Sequence, residues 1–261
     1  MQYKIIDFHT HPFLSERYNI CQHLEYCDMA FGTTQNIMND LGVVHICGSV
    51  ISKPMKNGYV NEWEKLRDWN DQALQLQEKY GEFYVPGFHV HPNYVDESLQ
   101  EIDRMETKGL RLIGELVPYL SGYDKYVSDG MLEIVKYATS KNMIVSIHPT
   151  EAEDIDAFIE HFPETKIIVA HPGEYRQVLQ HIERMKRYQD YYLDLSGTGI
   201  FRHGMVKRVV DEVGASRILY GSDYPVCNAG AFFGGIFFDK LLTEDEKQAI
   251  FYENAKRLLK L

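Results

Sequence analysis

Two histidines stand one residue apart near the N-terminus, His9 and His11 in "DFHTH" (7–11). Imidazole nitrogens suit zinc and related divalent ions, and i, i+2 spacing on an extended chain turns both rings to one side. Further ligand-type side chains follow later apolar runs: His89 and His91 in "GFHVHP", Glu115 in "IGELVPY", His148 in "SIHPT", His171 in "VAHPG" and Asp223 in "GSDYP". Brought together, they would form an imidazole and carboxylate site that needs no thiolate. Each is ambiguous alone. A single histidine at a strand end is more often a hydrogen-bonded surface or core residue, and an aspartate there is commonly a turn former or helix cap. Glu115 says more, because a carboxylate among apolar residues is costly unless paired. His89 and His91 read more simply as pocket-lining residues or as residues before the "HP" turn, and His91 is retained as a substrate-contact candidate. His23, His45, His161, His181 and His203 read as ordinary.

Such residues act together only if the fold gathers them. Strands are expected at 4–11, 43–51, 83–91, 110–118, 143–149, 166–172, 191–197 and 217–225. Several are near-continuous apolar runs, as in parallel strands buried on both faces. Helices are expected at 61–81, 96–109, 129–142, 151–162, 174–188, 203–214 and 243–260, the last opening with Thr243 and Glu246 at capping-box spacing. The alternation indicates a parallel α/β architecture, which a closed eight-stranded barrel or an open doubly wound sheet would satisfy. In a barrel all C-terminal strand ends open onto one face, where active sites lie, and the ligand-type residues would converge there. Residues 12–40 fall outside the alternation and read as an insertion after the first strand, either an active-site cover or a structural elaboration. No repeat or linker is visible, so one domain over 1–261 is expected.

The length of 261 residues suits one barrel. A formal net charge of −11 argues against a nucleic-acid surface, which needs clustered Lys and Arg. No apolar run is long enough to span a bilayer, and the N-terminal stretch does not read as a secretory leader. The segment "AGAFFGGIFF" (229–238) reads as a loop or a helix over the core, or as an interface in a homo-oligomer. Cys21, Cys27, Cys47 and Cys227 form no CxxC pair, so reduced thiols in a cytoplasmic protein are expected.

Taken together, "DFHTH", "IHP" at 147–149, "AHPG" at 170–173 and "YGSDYP" at 220–225 resemble the metal-dependent amidohydrolase superfamily. With "YYLDLSG" (191–197) and the terminal "YENAKRLLKL", the chain is most similar to the amidohydrolase-2 branch, over nearly its whole length. The resemblance implies a distorted (β/α)8 TIM barrel rather than the open sheet. It implies His9, His11, His148 and Asp223 as metal ligands, and His171 as either a second-metal ligand or a catalytic residue. Decarboxylases of the branch, such as aminocarboxymuconate semialdehyde decarboxylase, typically use one ion. "IGELVPY" looks instead like the strand-four motif of binuclear members such as the TatD-type hydrolases, in which the glutamate bridges two ions. The position of the carbamylated lysine found in other binuclear subgroups has no candidate here.

The expected activity is therefore metal-dependent hydrolysis of a small-molecule amide, ester, lactone or phosphoester by a metal-activated water, with Asp223 and His171 catalytic. The alternative is non-oxidative decarboxylation of an aromatic or muconate-type acid. A barrel that has lost catalysis and only binds a ligand is a third reading, against which the full ligand set argues. Zinc is the expected ion, one or two per chain, with two favoured if Glu115 bridges; manganese and iron suit the same donors. Arg202 in "GTGIFRHG" is a candidate cation for an anionic group, and Tyr119, Glu174 and Tyr224 stand just past strand ends. Cys227 is close to Asp223 in sequence, but this chemistry needs no thiol nucleophile.

Overall fold

The structure is a computed structural model that describes residues 3–15, 20–21, 31–52, 58–199 and 202–261. His23 and Cys27 lie outside the described residues, as does much of the expected insertion. The strands are β1 (Ile5–Asp7), β2 (Val43–Ser49), β3 (Tyr84–Phe88), β4 (Leu112–Leu116), β5 (Ile144–Ile147), β6 (Lys166–Val169), β7 (Tyr191–Asp194) and β8 (Ile218–Leu219). The helices are α1 (Phe31–Asp40), α2 (Glu62–Tyr80), α3 (Val95–Glu106), α4 (Pro118–Ser121), α5 (Asp129–Ser140), α6 (Ala152–His161), α7 (Tyr175–Arg187), α8 (Met205–Val213), α9 (Ala229–Phe237), α10 (Glu244–Gln248) and α11 (Asn254–Leu259).

Each strand pairs in parallel with the next, in chain order. At the seam, Phe8 N donates to Tyr220 O (2.9 Å), Asp223 N to His9 O (2.9 Å) and His11 N to Tyr224 O (2.7 Å). The sheet therefore curls into a distorted (β/α)8 barrel, as expected. Ile6, Cys47, Leu112, Ile144, Ile168, Tyr192 and Leu219, from seven of the strands, pack together with Ala255 and Leu258 of α11. Helix α11 thus plugs the N-terminal mouth. A second, larger apolar cluster fills the layer between strands and helices. Higher in the barrel the backbones crowd inward: a Cβ on Gly87 would lie 2.0 Å from Gly114 O, so β3 and β4 can approach only with glycine there.

Every observed strand lies within its expected segment, and every one ends earlier than expected. The chain leaves β6 and β8 before His171 and Asp223, whose φ angles of 59° and 58° are left-handed and incompatible with a strand. The capping box at Thr243 and Glu246 is present. The single expected C-terminal helix is instead divided into α10, a π-helical stretch at Ala249–Glu253, and α11. "AGAFFGGIFF" supplies α9, which is capped by Asn228, whose side chain accepts from Ala231 N. Among the described residues no helix is long and apolar enough to cross a membrane.

Candidate metal centre

The seam between β8 and β1 is tied by Asp7, which is fully buried. Its carboxyl accepts from Ser222 N (2.9 Å) and Ser222 Oγ (2.6 Å), and from His9 N at 3.3 Å. Burial pushes its pKa up to about 7, against the pull of those hydrogen bonds. These contacts and the backbone bonds of the seam set Asp223 beside the histidines of β1, although more than two hundred residues separate them. Asp223 Oδ1 lies 3.7 Å from His9 Nε2 and 3.5 Å from His11 Nε2.

Glu115, near the end of β4, reaches the same point from across the barrel. Its Oε2 lies 3.4 Å from both His9 Nε2 and His11 Nε2. Its Oε1 lies 2.9 Å from His148 Nδ1 and 3.6 Å from His171 Nε2. One carboxylate thus divides its two oxygens between two sets of imidazole nitrogens. Among the described residues, two groups have ligand atoms all within 4.8 Å of one another: His9, His11 and Asp223, and His9, Glu115 and His171. His148 belongs to neither; its ring stands against that of His171, centroids 4.9 Å apart.

The donor set fits a cation. His11 Nδ1 faces the Ser49 carbonyl at 3.0 Å, which can only accept, and His9 Nδ1 faces the Asp194 carboxylate at 2.9 Å. Both Nδ1 atoms therefore carry protons, and in the neutral rings both Nε2 atoms present lone pairs. Those two Nε2 atoms are 3.3 Å apart, with Glu115 Oε2 and Asp223 Oδ1 close by. Four electron-rich atoms converging in a buried place need positive charge between them. The same demand for positive charge shows in the pKa shifts, where a proton on the ring meets it whenever no cation does. Burial opposes charging His9, but Asp194 and Glu115 outweigh it and hold its pKa well above 6.5. Burial would raise Glu115, yet the His9 charge and hydrogen bonds from His11, His148 and His9 hold it well below the usual carboxylate range.

Among the described residues, two cavities meet at the cluster. One, of about 290 Å³, is lined by His11, Glu115, His148, His171 and Asp223, with Ile20, Cys21, Ile51, Tyr119 and Val226 among its walls. Ile20 and Cys21 of the expected insertion line this cavity. The other, of about 710 Å³, runs from His148, His171 and Asp223 past Gly173, Thr198 and Cys227 toward α7. Tyr119 is 70% exposed and stands edge-on to His148, centroids 5.5 Å apart. Cys227 Sγ is 3.6 Å from Asp223 Oδ2, and burial together with that carboxylate pushes its thiol up to about 12, so it stays protonated.

Two substrate-contact candidates are placed elsewhere. Arg202 lines neither cavity; its side chain is 63% exposed and pairs with Glu174 at 2.6 Å. A long side chain after β7 turns to the surface because its carboxylate partner lies there. His91 is buried between the rings of Tyr94 and Tyr123, at centroid distances of 5.1 and 5.4 Å, and also lines neither cavity. His89 Nε2 is spent on the Val50 carbonyl at 2.9 Å. Tyr224 is buried, with its hydroxyl 3.2 Å from Thr34 Oγ1 of α1.

Sequence reasoning missed Asp194 and Ser196, at the end of β7. They hold His9 from behind, and Ser196 also meets His171. The signal was present, since they repeat the i, i+2 spacing of His9 and His11 in "DLSG".

The amidohydrolase-2 family model, described as amidohydrolase, matches residues 6–261. The chain belongs to this family. Solved structures of similar fold include a 2,6-dihydroxybenzoate decarboxylase from Rhizobium, 16% identical, with 99% of each chain covered and a TM-score of 0.74. A 5-carboxyvanillate decarboxylase from Novosphingobium aromaticivorans, with bound manganese, is 15% identical over 100% of this chain and 98% of its own, at a TM-score of 0.70. A protein described as amidohydrolase II is 19% identical over 99% of this chain and 100% of its own, at a TM-score of 0.73. At these identities the likeness is one of fold. No curated protein matches the sequence. Within the family fold, the metal-type residues of this chain sit at the C-terminal mouth of the barrel, where such barrels carry their active sites.

Proposed function

We propose that this amidohydrolase-family chain is a divalent-metal-dependent hydrolase of a small molecule carrying an amide, ester, lactone or phosphoester. One observation carries the reading: Glu115 turns one oxygen to His9 and His11 and the other to His148 and His171. That division suits a carboxylate shared by two ions, with His9, His11 and Asp223 at one and His148 and His171 at the other. All donors are imidazole nitrogen or carboxylate oxygen, which suits zinc or manganese. When bound, such ions polarise the scissile group and make a water acidic enough to attack near neutral pH.

The residues of the chain supply the rest. Asp223 takes the proton of the attacking water at its carboxylate and returns it to the leaving group. Its left-handed backbone keeps that carboxylate at the mouth of both cavities. Tyr119, Val226 and Ile51 form an apolar wall against which the uncharged part of a substrate rests.

Non-oxidative decarboxylation is the second reading, and the comparisons taken alone favour it. The Rhizobium and Novosphingobium neighbours are named as decarboxylases of hydroxylated aromatic acids. Under it one ion suffices, Glu115 serves as a hydrogen-bond acceptor for His148, and His171 delivers a proton to the substrate. The test is to count ions in chelator-free protein and to screen lactones, amides and phosphoesters beside hydroxybenzoic acids. Two ions with hydrolytic turnover support the proposal. One ion with carbon dioxide release from an aromatic acid overturns it in favour of the second reading.

A further inference from the structure

Asp194 and Ser196 are fully buried behind the metal-type histidines. The Asp194 carboxylate meets His9 Nδ1 at 2.9 Å through Oδ2 and accepts from Ser196 N at 2.8 Å through Oδ1. Ser196 Oγ lies 3.0 Å from His9 Nδ1 and 3.1 Å from His171 Nδ1. Among the described residues it is the hydrogen-bond partner of His171 Nδ1. The fit there is close: a Cβ on Gly197, whose φ is +63°, would lie 2.2 Å from that nitrogen.

A hydroxyl has one proton and two lone pairs. His9 Nδ1 carries its proton toward Asp194, so Ser196 faces that nitrogen only as an acceptor. Toward His171 it can play either part. If it donates, His171 carries its own proton on Nε2 and cannot ligate through that atom. If it accepts, Nε2 presents a lone pair toward Glu115.

We propose that Ser196 is a positioning residue whose hydroxyl accepts a hydrogen bond from His171 Nδ1–H and so leaves Nε2 free for the second ion. The end of β7 then supports both ion positions, Asp194 through His9 and Ser196 through His171. This rests on the two-ion reading above. Outer-shell partners of this kind are worth about 10- to 100-fold in metal affinity.

The test titrates zinc into wild type, Ser196→Ala and Ser196→Thr, with ion content measured after dialysis. The wild type and Ser196→Thr should retain two ions. Ser196→Ala should bind the second ion about 10- to 100-fold more weakly and keep the first, because Asp194 still holds His9. Two ions held by Ser196→Ala as tightly as by wild type overturn the proposal. A wild type that takes only one ion overturns the two-ion reading itself, and that result appears before any substitution. Should Ser196→Ala fail to fold, histidine ¹⁵N spectra of zinc-loaded wild type decide: the proposal requires His171 protonated on Nδ1, and a proton on Nε2 overturns it.

Discussion

Glu115 and His148 meet at the mouth of the barrel, Oε1 to Nδ1, at 2.9 Å. The other oxygen of Glu115 faces His9 and His11, so any substitution at this one carboxylate reaches both halves of the site. Glu115→Gln keeps the size, removes the charge and replaces one oxygen by a donor. We expect at most one ion per chain and a loss of hydrolytic turnover of about 100-fold or more, the scale on which a catalytic ion or proton-transfer group acts. Turnover within tenfold of wild type, with ion content unchanged, would exclude a bridging role.

Asp223 adopts φ 58°, a conformation that asparagine tolerates as readily as aspartate. Asp223→Asn should therefore preserve the backbone while removing the proton acceptor. Turnover should fall about 10²- to 10⁴-fold, with a melting temperature equal to or above that of wild type. A variant that melts much earlier would assign Asp223 a structural role instead.

His181 on α7 is buried, with Nδ1 2.6 Å from the Tyr191 hydroxyl. Burial, helped by the Arg184 charge, lowers its pKa to about 3. The unfolded chain takes up this proton near pH 6.5, whereas the folded chain refuses it until about pH 3. Its contribution is therefore complete above pH 6.5 and declines as pH falls through the window from 6.5 to about 3, by up to about 1.4 kcal/mol per pH unit. In urea titrations, His181→Gln should show a shallower loss of stability across that window. An unchanged acid slope would mean that His181 titrates normally.

Arg202 is exposed and pairs with Glu174, itself 70% exposed. Such pairs contribute little. Arg202→Ala should leave kcat/KM within about twofold for uncharged and anionic substrates alike, since surface substitutions away from a site are usually near neutral. A selective loss against anionic substrates would return Arg202 to the pocket.

Much of this architecture was legible in the chain. Each strand lies within an apolar run, because strands buried on both faces leave that trace, and the helices α2 to α8 apart from α4 follow their amphipathic period. The ligand-type residues were visible because His9, Glu115, His148, His171 and Asp223 interrupt or directly follow those runs. The ends of β6 and β8 were not visible: the left-handed turns at His171 and Asp223 carry no apolar signature. Nor was the direction of Arg202 or His91, since the path of a long or buried side chain depends on neighbours from other loops.

Sequence alone thus showed which residues could bind a metal and that they follow parallel strands, because period and polarity report burial residue by residue, while the barrel was implied by the family resemblance. Only the tertiary structure decided how they meet. Closing β8 onto β1 set Asp223 beside His9 and His11, divided Glu115 between two pairs of histidines, and placed Ser196 between His9 and His171. Those relations span the barrel, and at distances near 3 Å they follow from backbone closure and packing, which no local pattern records.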